Sequence, residues 1–430
     1  MKYGMLGVCL FLLAVPALAD LDAEVAAAAE AMQEQVVAWR RDIHEHPELS
    51  NREFRTSRLV AEHLESLGME VKRGVAHTGV VGLLKGGKPG PVVALRADMD
   101  ALPVEEKTGL SFASKQRGEY EGREVGVMHA CGHDNHVAIL MGAATVLAGI
   151  ADQLPGSIKF VFQPAEEGPP RGENGGAKMM IEEGVLEKPE VDAIFGLHVG
   201  QHSVPGQAAY RARGFMASAQ RFDIVVKGRQ THGARPWAGV DPVVIAAQIV
   251  GALQNIVSRQ IDITQHPAVV TVGSFQSGVR NNIIPDTAEL SGTIRTFDPE
   301  VRLQIHEKIK NIATHIAQAH GAEAVVEIDP GVPVTYNDPR LTNRMVPSLN
   351  KVYGRENVSV SARITGAEDF SFFQENVPGF FFFIGVRPPG RSPAEAIPNH
   401  SPYFDADEAA LVPGVHAMSQ LAVDYLFQSQ

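Results

Sequence analysis

Cysteine is almost absent. The 430-residue chain has two, Cys9 and Cys131, so a disulfide framework does not hold this fold together. Cys9 falls in the opening stretch MKYGMLGVCLFLLAVPALAD, which has a basic Lys2, an apolar run and the small-x-small ending Ala17-Leu18-Ala19, the layout of a secretory signal. Residues 1–19 are therefore expected to be removed. The mature chain would begin near Asp20, in a periplasmic or secreted setting, with Cys131 as its single thiol. No later apolar run approaches the roughly twenty residues of a spanning helix, so no membrane partner is expected once the signal is gone. Positive charge is also short, with 38 Lys and Arg against 50 Asp and Glu and a formal net charge of -12. That balance disfavours nucleic acid, whose affinity for proteins comes largely from Lys and Arg neutralising phosphates. Low-complexity tracts and internal repeats are missing as well. With 44% hydrophobic and 20% charged residues, a disordered chain is excluded. What remains is a globular protein long enough for two domains, and its clients are expected to be small molecules.

A lone thiol in an oxidising compartment is a reactive group, an intermolecular bridge, an apolar filler or a metal ligand. Its neighbours in MHACGHDNH are His129, His133, Asp134 and His136. Cys131 and His133 are two residues apart, so an extended segment ahead of the helix HVAILMGAATVLAGIADQL puts both side chains on one side. Three apolar, β-branched runs end in further donors. PVVALRADMDALP delivers Asp98 and Asp100, SIKFVFQPAEEG delivers Glu166 and Glu167, and VDAIFGLHVG ends on His198. All three read as buried strands of an open α/β sheet, which gathers its ligands beyond the carboxyl ends of strands. Cys131, His133, Glu167 and His198 together offer a thiolate, two imidazoles and a carboxylate, a set that suits zinc, cobalt or manganese better than calcium or magnesium. His400 in IPNHSPYFD is the best distant addition. Glu166, beside a ligand, can face the bound water and pass its proton to a leaving amine. Each piece has a plain structural alternative, a solvated acidic turn or a buried cysteine, and their coincidence at strand ends favours chemistry.

From Gln207 the pattern changes to strand, helix, strand, strand, helix, strand: RFDIVVKG, DPVVIAAQIVGALQNIVSR, AVVTVGSFQSG, AELSGTIRTF, PEVRLQIHEKIKNIATHIAQAHG and AEAVVEID. This βαββαβ order is the ferredoxin-like arrangement. It is expected as a domain at residues 207–321, inserted between catalytic segments 20–206 and 322–430. GFFFFIGV would return as a core strand and DADEAALVPGVHAMSQLAVDYLFQ as a closing helix.

RADMDALP, MHACGHDNH, FQPAEEG, GLHVG, NNIIPD, GTIRTF, GAEDFSFF and HSPYFD, spread in order over nearly the whole mature chain, give a resemblance to the aminoacylase-type dinuclear metallopeptidases. The closer likeness is to the amidohydrolase branch that includes hippurate, auxin-conjugate and N-acetyl-diaminopimelate hydrolases. The resemblance implies an α/β catalytic domain with a mixed sheet and a lid that commonly also forms the dimer, so a homodimer is expected. It implies two divalent metal ions held by Cys131, His133, Glu167, His198 and His400. Glu166 would be the general base and Asp98 the acid that orients the site. Many relatives have a histidine ligand where Arg96 stands, and the thiolate of Cys131 fits its loss. His136 would act behind the ligands or on substrate. His232 in GRQTHGARP, often reaching the partner's site in relatives, would hold the scissile carbonyl oxygen, with Asn282 in a similar role. Here GRQTH replaces a Gly-rich GKGGH, and NHSPYFD lacks a double-histidine start, so His400 must serve alone. His44 and His46, explained by a turn at Pro47, stay outside the site, whereas Glu368 and Asp369 fit a pocket lining and a plain turn equally well. The implied reaction is hydrolysis of an N-acyl amino acid or similar small conjugate by attack of a metal-bound hydroxide, with Glu166 as the general base. The alternatives are a dipeptidase or carboxypeptidase and, from another class, a non-catalytic periplasmic metal-binding module.

Overall fold

In the computed structural model the backbone is described for residues 14–429 and the side chains for residues 20–429, so the expected signal lies outside the residues whose side chains are described. The chain forms two compact units. The first comprises the chain up to Tyr210, Asp338–Ser361 and the chain from Asn376; the second comprises Arg211–Asn337 and Ala362–Glu375.

The first unit is built on an eight-stranded sheet in the order Glu70–Val75, Gly79–Lys85, Pro155–Gln163, Lys88–Asp98, Ala193–Gly200, Gly379–Gly385, Ala208–Tyr210, Val358–Val360. Its centre is parallel: Lys88–Asp98 pairs in parallel with Pro155–Gln163 and Ala193–Gly200, which pairs in parallel with Gly379–Gly385. Antiparallel pairs on either side make the sheet mixed. The central strands are apolar on both faces, as a covered parallel sheet requires, and Phe160, Phe162, Phe195, Phe380 and Phe382 are fully buried. Helix His133–Gly149 is buried on nearly every side, which explains its continuous apolar sequence, and it packs on Leu411–Gln428 and on the strand Lys88–Asp98.

The second unit carries a four-stranded antiparallel sheet in the order Ala268–Ser277, Thr287–Thr296, Gln220–Lys227, Glu323–Ile328. With helices Pro242–Gln260 and Pro299–Ala319 this is the expected βαββαβ order. Both helices start from an aspartate whose side chain accepts backbone N–H groups, Asp241 and Asp298, with proline at the next position. Pro242–Gln260 has the length and mean hydropathy of a membrane span, but Ile245, Ile249, Leu253 and Ile256 form a buried stripe in this unit's core. The unit reaches past the boundary expected at residue 321, because Glu323–Ile328 completes the sheet beside Gln220–Lys227. It also recovers residues 362–375, tied by the Met216–Ile364 bridge and the Ala217 N–H to Ile364.

Candidate metal centre and active site

The site is assembled in the first unit from one helix start, three segments at or near the ends of strands, and the turn that carries His400. Asp98 is the last residue of its strand, and Glu166 and Glu167 follow the strand that ends at Gln163. His133 opens its helix. The strand carrying His198 runs two residues beyond it, to Gly200, because the facing strand pairs Phe383 with His198 and continues. The extended geometry expected between Cys131 and His133 is absent: Gly132 has φ 92°. It is this left-handed turn, which glycine adopts without a Cβ penalty, that brings thiol and imidazole together.

All five expected ligands converge. Candidate donor atoms of Cys131, His133 and His198 lie within 4.8 Å of one another, and so do those of Cys131, Glu167 and His400. Cys131 Sγ is 3.4 Å from His198 Nε2, and His400 Nε2 is 3.0 Å from Glu167 Oε1. Orientation is fixed from behind. His133 Nδ1 bonds to the Asp100 carbonyl at 2.8 Å and His198 Nδ1 to the Val199 carbonyl at 2.7 Å. Since a carbonyl only accepts, each Nδ1 carries a proton and each Nε2 offers a lone pair in the neutral ring. His133 Nε2 is buried without a hydrogen-bond partner, as a ligand atom should be.

The electrostatics point the same way. Burial opposes charge on His133, yet Asp98, Asp100 and Glu167 push it up to about 10. Burial raises the Cys131 thiol well above its usual value, and Glu167, Glu166 and Asp98 raise it further. Acids crowded round one spot demand positive charge there. Divalent cations would supply it and permit the thiolate, so the donor set, two groups that share Cys131, fits two such ions.

Asp98 is enclosed by Arg96 at 2.6 Å and His136 Nδ1 at 2.6 Å. Burial alone would raise its carboxyl, but His133, Arg96 and His136 hold it well below the carboxylate range. His136 Nε2 accepts the Val199 N–H at 2.9 Å. Both of its nitrogens are thus engaged and the ring is buried, which corrects the expected substrate contact: His136 braces Asp98 instead. His44, bonded to Asp134 and Glu106, is a buried structural group.

Three groups hold the backbone of the site in place, and two of them, Glu53 and Asn399, escaped sequence reasoning. Asp100 accepts the N–H groups of Glu166 and Glu167 at 3.0 and 3.1 Å and the Ser50 hydroxyl at 2.7 Å. Glu53 accepts the N–H of Ala165, a residue with φ 51°, at 3.0 Å. Asn399 donates to the carbonyls of Cys131 at 2.8 Å and Val199 at 3.2 Å, and its amide nitrogen is 3.8 Å from the Cys131 sulfur. The proximity of Asn399 to His400 was the one available signal.

His232 and Asn282 belong to the second unit, where they are neighbours: His232 pairs with Ile283, and the Gly233 N–H bonds to the Asn282 carbonyl at 2.8 Å. His232 is exposed, and its Nδ1 accepts the Ala234 N–H at 2.9 Å, which leaves Nε2–H as a donor. Also in this unit, Glu368 accepts the N–H of Phe370 at 2.9 Å, a turn-capping contact.

Residues 94–424 match the peptidase family M20/M25/M40. Thermostable carboxypeptidase 1 of Saccharolobus solfataricus is 43% identical over 92% of this chain and 96% of its own length. N-acetylcysteine deacetylase of Bacillus subtilis is 38% identical over 92% of this chain and 97% of its own. The crystal structure of the Bacillus subtilis YXEP protein, described as a dinuclear metal binding peptidase of the M20 family, superposes with a TM-score of 0.77 at 36% identity, covering 93% of this chain and all of that one. A match of that extent, together with relatives aligned over nine-tenths of the sequence, makes the chain a member of peptidase family M20/M25/M40.

Proposed function

We propose that the protein is a metal-dependent amidohydrolase that cleaves the amide bond of N-acyl amino acids or similar small conjugates. The observation that carries this reading is the pair of overlapping donor groups sharing Cys131, with one further acid, Glu166, 3.8 Å from the His133 Nε2 atom. Cys131, His133, His198, Glu167 and His400 would hold two ions, and their mixed sulfur, nitrogen and oxygen donors favour zinc, manganese or cobalt. Bound there, divalent ions polarise a carbonyl and lower the pKa of water towards neutrality. Glu166 takes the proton of the attacking water and returns it to the departing amine. Asp98, braced by Arg96 and His136, lies 3.8 Å from His133 Nδ1 and holds its negative charge beside that ring. The second unit serves as a lid: Nε2–H of His232 donates to the carbonyl oxygen as charge develops on it, and Asn282 helps to orient the substrate.

Replacing Glu166 by Gln should lower kcat by about 10²–10⁴-fold while elemental analysis still finds the ions; full activity would sink the assignment. Chelation should inactivate the enzyme, and restoration by zinc, manganese or cobalt separates the usable ions. The carboxypeptidase likeness of one relative favours a second reading, cleavage of small peptides, which a panel of N-acyl amino acids against dipeptides distinguishes.

Export and a homodimer complete the proposal. The signal-like opening stretch supports export, and N-terminal sequencing of the mature chain tests it. For the dimer, strand Ala268–Ser277 is an edge of its sheet, with Val269 and Phe275 exposed, and Val243 and Val244 are exposed on helix Pro242–Gln260. An unpaired edge beside apolar side chains is suited to a second copy, and sedimentation measures the mass.

A further inference from the structure

A hairpin that the site does not use walls a cavity beside Glu167. Strands Arg117–Tyr120 and Arg123–Gly126 pair from Arg117 with Gly126 to Tyr120 with Arg123. Their two-residue loop, Glu121 and Gly122, has φ 49° and 74°. Two left-handed residues in succession make the tight turn whose twist matches that of the strands, so the tip is rigid. The base of the hairpin is docked as well. A Cβ at Gly118 would stand 3.1 Å from both Leu49 and Val127, Arg117 pairs with Glu105, and the Val127 N–H bonds to the Gln116 carbonyl at 3.0 Å.

Beside this hairpin is a cavity of about 390 Å³ whose lining includes Leu49, Leu102, Pro103, Tyr120 and Pro170, together with Glu167. That volume is at the lower end of the range for small-molecule sites. These apolar residues share the lining with the charged Arg52, Glu119, Glu121 and Arg171, and Tyr120 leaves 43% of its surface exposed beside them. Of its two arginines, Arg52 has its charge matched by Glu173 at 2.6 Å, and Arg171 shares the lining with the acids Glu119, Glu121 and Glu167, so the cavity makes no strong demand for an anion. Leu102 is two residues beyond Asp100, and Glu167 is a proposed cation ligand. Glu167 belongs both to this lining and to the donor group with Cys131 and His400, so the cavity adjoins the proposed metal centre.

We propose that this hairpin-walled cavity is a specificity pocket for an apolar substituent of the scissile conjugate, with Tyr120 as its adjustable wall. The inference rests on the amidohydrolase reading above. The shared chemistry is an alkyl or aryl group, carried either on the acyl side or as the amino-acid side chain, and the experiment separates the two sources.

The test measures kcat/KM for the metal-loaded enzyme on two series: acetyl, butyryl, hexanoyl and benzoyl derivatives of one amino acid, and acetyl derivatives of alanine, leucine and phenylalanine. The parent enzyme should gain about 3–4-fold for each buried methylene in one series. Tyr120→Ala should compress the long-to-short ratio of that same series by on the order of tenfold, and Tyr120→Asp should compress it further by placing a charge against the alkyl chain. Tyr120 is at an exposed hairpin tip, so both variants retain the fold, which circular dichroism checks. A ratio unmoved by either variant, on substrates that the parent hydrolyses, overturns the pocket and leaves the amidohydrolase reading intact. Hydrolysis of neither series by the parent overturns both.

Discussion

Glu53→Gln should stabilise the metal-free protein at pH 8 and leave it nearly unchanged at pH 5. The carboxyl of Glu53 is fully buried, accepts the N–H groups of Asn51 and Ala165 at 3.0 Å each, and receives the Thr78 hydroxyl. Burial and the nearby charge of Asp100 push it up to about 8 from the usual 4.5. An acid raised in the folded state stays protonated there while the unfolded chain ionises. Stability is therefore fully present below the unfolded value and falls as pH rises towards 8, by about 1.4 kcal/mol per pH unit. Across that window the loss has a ceiling of about 4–5 kcal/mol. Glutamine copies the neutral acid: its oxygen keeps both backbone bonds, its NH₂ donates to Thr78, and it does not titrate. Urea unfolding of chelator-treated parent and variant at pH 5, 6.5 and 8 measures the difference, with the ions removed because their charge would lower the Glu53 pKa. The variant's advantage should appear between pH 5 and pH 8. If instead the variant is less stable by the same amount at every pH, Glu53 is ionised in the fold and the reasoning fails.

Two further substitutions probe the cluster. Gly132→Ala places a methyl group 2.4 Å from a Val199 methyl on a backbone with φ 92°, and a loss of about 2–3 kcal/mol is expected from strain and overlap, read as a lowered urea midpoint. Asn399→Asp keeps the shape but turns a donor into an acceptor facing two carbonyls and a sulfur. Metal affinity should fall about 10–100-fold, measured by competition with a chromogenic chelator, and unaltered affinity would remove Asn399 from the positioning set.

The candidate donors were legible because chemistry marks them: a lone cysteine, histidines in short motifs, and acids after β-branched runs that must be buried strands. The βαββαβ order was legible for a similar reason, since alternating and helical periodicities change where the elements change. What the letters concealed were groups that act at a distance. Glu53 grips Ala165 across 112 positions, and no local pattern in a glutamate near a helix start reports such a partner. Gly132 kept its left-handed turn hidden for the opposite reason, because a glycine permits that geometry without requiring it. The return of residues 362–375 to the second unit rests on the Met216–Ile364 bridge and a few backbone bonds, interactions that carry no side-chain signature.

The amide cradle formed by Glu53 and Asp100 under the Glu166–Glu167 turn means that the donor atoms take their positions only when widely separated stretches of chain have already met. An unfolded polypeptide contains no preformed version of this constellation, so ion uptake is coupled to native assembly and the affinity of the site becomes thermodynamic protection of the whole first unit. Its melting temperature should accordingly rise with the free concentration of whichever ion it accepts, making heat resistance a gauge of local ion supply.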